Sequence, residues 1–435
     1  MQLSRHLDKG FWATATNAVK ALYGFGVVFW LIVVFPKSAF ANFLIVQTTY
    51  LICAQLITSF SLSAYIKFYY EKSDRVELQS SGILLFWGTS IIVFLMFLLI
   101  YPYLGQLINM DIEYDLLLFV PALYFASAAK LYTNEVFKAT HQIKAFFLTE
   151  LVFFASHSTM LVIIYFNSGL HKAEDVLSPM VAAYVLSSLL GVWLARNYII
   201  YKFKFSLTNL KQAIHFNRFV FAIGVSNNIF EHVDTYIVAS FMNKPALALF
   251  GALKLFTRIF TMFRQVVGII GFPAFSRLHS EGRQKDLKSL YEKGIYYASL
   301  LLGSIVLLVI VFANFIFDSI LTNYAGNGFF LQIFILLGLW VGWQTIGDNL
   351  LYGIGKPQVV FYNRMAVSIL NIFLNVILIS MYGITGAIIT ANITMFLLML
   401  STTYFVRKNI GFTFRGIWNK HRDLYFFVND FLKKN

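Results

Sequence analysis

Long apolar stretches alternate with short polar ones along nearly the whole chain. Each stretch approaches the roughly 20 residues that an α-helix needs to cross a bilayer's hydrocarbon core. The pattern predicts spans near 11–35, 40–66, 82–103, 116–137, 145–166, 177–195, 219–242, 246–275, 294–317, 329–353, 359–381 and 384–406. Twelve such spans with short links predict an all-α polytopic membrane protein. Beyond the last span, Ile417, Trp418, His421, Leu424, Tyr425, Val428 and Phe431 recur at helical spacing, with Lys420, Arg422 and Lys433 between them. The tail 407–435 therefore reads as a basic amphipathic helix lying on a membrane surface.

Charge sets the orientation, because cytoplasmic loops accumulate Lys and Arg. With the N-terminus inside, cytoplasmic segments carry 25 of the 34 Lys and Arg, and external loops carry three: Lys37, Lys172 and Lys244. Both termini are expected in the cytoplasm. The net charge of +14 is spread over these loops and implies no nucleic acid. Only 12% of residues are charged and 59% are hydrophobic, against about 25% charged in a soluble domain.

Several classes are excluded. Cys53, the single cysteine, lies in an apolar span and allows no disulfide framework. The eight histidines show no metal-ligand spacing. The opening MQLSRHLDKG is too polar for a cleavable signal peptide, so the first span is expected to be retained. Walker A, nucleophile-elbow and zincin patterns do not occur, and the external loops are too short for a catalytic domain. No enzyme, metal or resident cofactor is expected.

A repeat divides the spans. FPKSAFANF (35–43) aligns with MNKPALALF (242–250), and NEVFKATHQIKAFF (134–147) with NLLYGIGKPQVVFY (349–362), matching Asn134 to Asn349 and Phe146 to Phe361. Both matches sit at corresponding spans of the same orientation. They predict two six-helix lobes, 1–200 and 219–406, joined by a cytoplasmic linker at 201–218.

Six cations fall inside spans: Lys20, Lys130, Lys254, Arg258, Arg264 and Arg364. A charge at the bilayer centre costs at least about 3 kcal/mol, so each needs a partner or water. Lys254, Arg258, Thr261 and Gln265 form one helical stripe, as do Asn227, Glu231 and Asp234, and as do Arg364, Ser368, Asn371 and Asn375. Glu150 and His157 share a face of span five. Such stripes face a bundle interior or a wet cavity. Cations on several helices suit an anionic substrate, since Arg matches phosphate with a planar fork and Lys supplies a point charge. The alternative is structural. Glu135, Glu150 and Asp348 would pair with loop cations, and Glu231 or Asp234 with Lys254 or Arg258.

The segment EHVDTYIVASFMNKPALALFGALKLFTRIFTMFRQVVGIIGFPAFSRLHSEG (231–282), with its acid in span seven and the run PAFSRL, resembles the polysaccharide-transporter branch of the MOP superfamily. GIGKPQ (353–358) and YGITGAIITANI (382–393) are similar to that family's spans ten to twelve. The resemblance implies a MATE-like fold and a Wzx-type O-antigen flippase of a bacterial inner membrane. It would turn an undecaprenyl-diphosphate-linked oligosaccharide between leaflets by alternating access, serving lipopolysaccharide synthesis beside a polymerase and a chain-length regulator. On that expectation Lys20, Lys254, Arg258 and Arg364 bind the diphosphate. Lys130, Asn227, Thr261, Gln265, Ser368, Asn371 and Asn375 line the cavity, and Glu231 or Asp234 takes a coupling proton or sodium ion. A MATE-like drug or cation antiporter is the alternative, and a polysaccharide polymerase a further one.

Overall fold

The computed structural model describes residues 2–69, 74–108, 114–199 and 202–421. No strand occurs among them. Eleven helices there are long and apolar enough to cross a membrane. Six precede residue 200: α1 (Thr14–Val34), α2 (Lys37–Phe68), α3 (Arg75–Gln106), α4 (Asp115–Ala139), α5 (Ile143–Asn167) and α6 (Glu174–Ala195). Five follow residue 240: α8 (Lys244–Ser280), α9 (Gln284–Ile320), α10 (Gly328–Gly353), α11 (Pro357–Tyr382) and α12 (Ile384–Ile410). The chain is a multi-pass membrane protein.

Between the two groups runs α7 (Leu207–Phe241), 35 residues long. At 1.5 Å per residue it extends ~52 Å, well beyond a hydrocarbon core of ~30 Å. Length is therefore not what separates it from the eleven. Asn227, Asn228, Glu231, His232 and Asp234 lower its apolar character. Its start also differs from the expected 219. Ser206 caps the helix by accepting the Asn209 amide at 3.3 Å, so most of the expected linker is helical. α3 likewise begins before 82, because Asp74 accepts the Glu77 amide at 3.1 Å. Lys204 then bridges Asp74 at 2.8 Å and Glu77 at 2.6 Å. Its ammonium beside Asp74 holds that carboxyl below the usual range.

By packing, the chain forms two compact units, Met1–Ala252 and Leu253–Asn435. The first takes in α7 and the start of α8, so this division lies beyond the boundary at 200 drawn from the repeat. Side chains give the reason. Tyr236 of α7 bonds Thr49 of α2 at 2.7 Å. Asn217 accepts the Ala64 amide at 2.8 Å and donates to the Ser61 carbonyl at 3.3 Å, where α2 breaks at Leu62. Without Asn217, two buried backbone groups lose a partner, each at about 1–3 kcal/mol.

In the second unit α10 is central and packs against α8, α9 and α12. A Cβ on Gly353 would stand 2.8 Å from the Phe275 Cβ and 3.0 Å from the Ser276 amide. The glycine of GIGKPQ thus lets α10 close on the PAFSRL run of α8. At the α11–α12 hairpin, Gly383 takes φ +59°, and a Cβ on Gly386 would collide with the Leu378 carbonyl. These motifs are packing devices.

After α12 comes α13 (Phe414–Trp418), capped by Thr413, which accepts the Gly416 amide at 3.1 Å. Ile417 is buried and Trp418 exposed. Lys420 reaches Ser289 at 3.1 Å and Glu292 at 3.9 Å, so it is tied to α9. The rest of the expected amphipathic tail, with Arg422, Leu424, Tyr425, Val428, Phe431 and Lys433, lies outside the described residues.

Candidate functional site

The first unit gathers three of the intramembrane charges at one carboxylate. Lys20 of α1 approaches Glu150 Oε1 at 3.3 Å, and Lys130 of α4 approaches Oε2 at 2.9 Å. Asn134 donates to Oε1 at 3.1 Å and is itself held by Thr149, whose hydroxyl donates to its Oδ1 at 2.9 Å. The two cations differ in access: the Lys20 side chain is 47% exposed and that of Lys130 6%. Lys130 also lies over the rings of Phe153 at 4.5 Å and Tyr184 at 5.4 Å. Their negative faces offset part of its lost hydration. One acid between two cations leaves a formal charge of +1 in an apolar bundle.

His157 shares the face of Glu150, as its spacing implies, but serves different partners. Its Nε2 lies 3.2 Å from the Val176 carbonyl, which can only accept, so Nδ1 accepts from the Tyr23 hydroxyl at 3.0 Å. Tyr23 sits at a π-helical turn, Tyr23–Val27, within α1.

The second unit repeats the arrangement with the signs exchanged. Asp348 of α10 receives Arg364 of α11 at 2.8 Å and Gln344 at 2.5 Å on Oδ2, and Thr402 of α12 at 3.4 Å on Oδ1. Asn363 donates to Thr402 at 3.1 Å. Arg264 of α8 meets the Met395 sulfur of α12 at 3.8 Å. On the repeat that aligns Asn134 with Asn349, Glu150 and Arg364 occupy neighbouring positions. A cation on α4 with an acid on α5 thus becomes an acid on α10 with a cation on α11.

Both pairs correct the expectation that Glu150 and Asp348 sit near helix ends and meet loop cations. Lys130 and Glu150 each lie ten residues from Thr140 in the α4–α5 turn, a depth of ~15 Å. Asp348 and Arg364 each lie eight residues from Lys356, ~12 Å. Equal distance from an antiparallel turn puts partners at the same depth, and this signal was available in the sequence. Glu135 pairs instead with Lys138, one turn on in the last turn of α4, at 2.5 Å.

Other expected site residues fall into three groups. Ser368, Asn371 and Asn375 of α11 are buried; Asn371 donates to Thr394 of α12 at 3.2 Å, and Asn375 donates to Asn371 one turn away at 3.0 Å. Of these three, Asn371 reaches across to α12, and buried Lys130 reaches Glu150 on α5. Thr261, Gln265 and Glu231 are exposed, and Asn227, Asp234, Lys254 and Arg258 are half-buried. Asp234 accepts the Thr235 amide at 2.7 Å. Lys254 and Arg258 flank a tightened turn in α8, where the Thr257 amide and hydroxyl both bond the Lys254 carbonyl, at 3.1 and 2.7 Å. Sequence reasoning missed Asn134, Thr149, Gln344, Asn363 and Thr402 as partners, because neutral polar residues are common in helices and nothing in their spacing points across to another helix.

Comparison with known proteins places this geometry in a family. Residues 46–324 match the profile described as polysaccharide biosynthesis protein, more than half of the chain. An uncharacterized membrane protein of Methanocaldococcus jannaschii, MJ1068, is 27% identical over 151 residues, 34% of this chain and 30% of that one. The probable low-salt glycan biosynthesis flippase Agl15 of Haloferax volcanii is 22% identical over 194 residues, 43% of this chain and 40% of that one. The chain thus spans less than half the length of these two relatives. Among solved structures, an inward-facing multidrug resistance MATE family transporter of the MOP superfamily matches with TM-score 0.72 at 13% identity, over 91% of this chain and 94% of that one. The lipid II flippase MurJ, in an inward closed conformation, matches with TM-score 0.71 at 15% identity, over 94% and 89%. The chain belongs to the polysaccharide biosynthesis protein family and carries the fold of the MOP superfamily.

Proposed function

We propose that the protein is a flippase for a lipid-linked oligosaccharide, carrying a polyprenyl diphosphate between leaflets by alternating access. In its finest form the reading is an undecaprenyl-diphosphate-linked O-antigen unit in a bacterial inner membrane. The observation that carries it is the Lys20–Glu150–Lys130 cluster, where half-exposed Lys20 is the accessible member of a net cationic group. An incoming diphosphate can take Lys20 while Glu150 stays satisfied by Lys130 and Asn134. Lys254 and Arg258 supply further charge. Arg364, already bonded to Asp348, acts as a reserve cation. An exporter of cationic drugs is less well served, since each buried carboxylate already has cations beside it. Coupling of a proton or sodium ion is assigned to Glu231 or Asp234. No chemical step on the substrate is part of this reading.

The test is glycan display in a host lacking its own O-antigen flippase, normalised to membrane protein level. Restored display supports the reading. A well-expressed protein that restores no lipid-linked glycan, with O-antigen and other polyprenyl-linked glycans each tried, would remove it.

Orientation belongs to the same proposal: twelve crossings, with α7 as the seventh, and both termini cytoplasmic. Reporter fusions after Gly169 and Asn323 should report the outer side, and fusions after Phe205 and Gly282 the cytoplasm. A cytoplasmic signal at Gly169 would overturn it.

A further inference from the structure

Lys20 carries a long, rotamer-rich side chain, and holding its ammonium in one place costs conformational entropy. Two groups on α5 hold it. Glu150 Oε1 lies at 3.3 Å, and the ammonium stands 4.6 Å from the centre of the Phe146 ring. Phe146 precedes Glu150 by four residues, about one turn, so both project from the same face of α5. Phe146 is six residues from Thr140 in the α4–α5 turn and Glu150 ten, depths of ~9 and ~15 Å. The ammonium thus touches a deeper acid and a shallower ring.

Glu150 holds Lys20 less closely than it holds Lys130. A charge-assisted hydrogen bond spans about 2.7–2.9 Å. Lys130 meets that at 2.9 Å, and Lys20 does not at 3.3 Å. Asn134 donates to the same Oε1 at 3.1 Å, so this oxygen keeps a donor when Lys20 turns. A ring face attracts an ammonium through its quadrupole. The ammonium has three N–H donors, and those turned from the ring remain to serve an oxyanion. Lys138 also stands over Phe146, at 5.5 Å, but Glu135 matches its charge at 2.5 Å. Lys20 is the cation that the ring presents.

We propose that Phe146 is a positioning residue for the diphosphate of the lipid-linked glycan. Its ring draws the Lys20 ammonium toward the α4–α5 turn and holds it where an entering phosphate meets it before Glu150. The role rests on the flippase reading, and Phe146 acts in it only through Lys20. In the sequence, Phe146 stood out solely as the repeat partner of Phe361.

The experiment uses the full chain in neutral detergent, with farnesyl diphosphate as probe and its dissociation constant as readout. Phe146→Leu keeps an apolar side chain and removes the ring. It should weaken binding by about two- to fivefold, the worth of an exposed cation–π contact. Phe146→Tyr should bind as the wild type does, because it keeps the ring. In a Lys20→Ala background, Phe146→Leu should have no further effect, since the ammonium it positions is gone. Carbon-13 methylation of the lysines gives a second readout that needs no ligand. The Lys20 methyl signal, assigned by its loss in Lys20→Ala, should be shifted upfield by the ring current and should lose that shift in Phe146→Leu. Equal binding by wild type and Phe146→Leu would overturn the positioning role. So would a loss that persists in the Lys20→Ala background, or a methyl signal that Phe146→Leu does not move. A wild-type protein that binds no farnesyl diphosphate, with its methyl signal shifted as expected, would instead strike diphosphate capture from the flippase reading, and this role with it.

Discussion

Glu150→Ala should lower the stability of the purified protein by about 3–5 kcal/mol, the range for stripping one partner from a buried ion pair. The cost falls on Lys130. Its side chain is only 6% exposed and lies between Glu150 and two aromatic rings, so it cannot reach water without disturbing α4 and α6. Lys20, at 47% exposed, can turn away and adds little. Replacing both members, Glu150→Leu with Lys130→Met, should recover most of the loss, because an apolar pair of similar volume needs no counter-charge. Thermal unfolding in detergent of the two single variants and the double variant gives the coupling directly. Wild-type melting of a well-expressed Glu150→Ala protein would show that the pair does not anchor the first unit.

The second large effect concerns transport. Arg258→Ala and Lys20→Ala should each weaken substrate capture by about 1.5–3 kcal/mol, the range for hydrogen bonds to charged groups, or roughly 10- to 150-fold. Arg258→Lys should be intermediate, because it keeps the charge and loses the planar fork. If Arg258 instead only neutralises an acid, its alanine variant should lose protein yield, and removing the acid as well should restore it. Full glycan display by well-expressed Arg258→Ala would remove the phosphate role. In the same assay, Glu231→Gln with Asp234→Asn should abolish gradient-dependent transport and leave the protein folded. Unchanged transport would make those acids structural.

The two predictions separate anchoring charges from working ones by exposure, and exposure is a tertiary property. Lys20 and Lys130 are the same residue type, both inside spans and both beside Glu150. Only the packing of α1 at the edge of Glu150, and of Lys130 against Glu150 and Phe153 of α5 and Tyr184 of α6, makes one accessible and the other fixed.

The sequence by itself determined the helical, multi-pass architecture, because hydrocarbon allows no unsatisfied backbone and 20-residue apolar runs are its direct record. Eleven of the twelve expected spans are apparent from hydropathy alone. α7 is less apolar than the eleven, and its extent depended on the Ser206 cap and on its contacts with α2. The sequence also determined which charges needed explaining, since each intramembrane ion is costly wherever it points. Stripes along one helix were legible, because helical spacing is local. What faces a stripe is not local. Only the tertiary structure decided that Asn371 meets Thr394 of α12, that Lys20 and Lys130 share Glu150, and that Asp348 takes Arg364. Those pairings follow from helix rotation and crossing, which arise when all the helices pack at once.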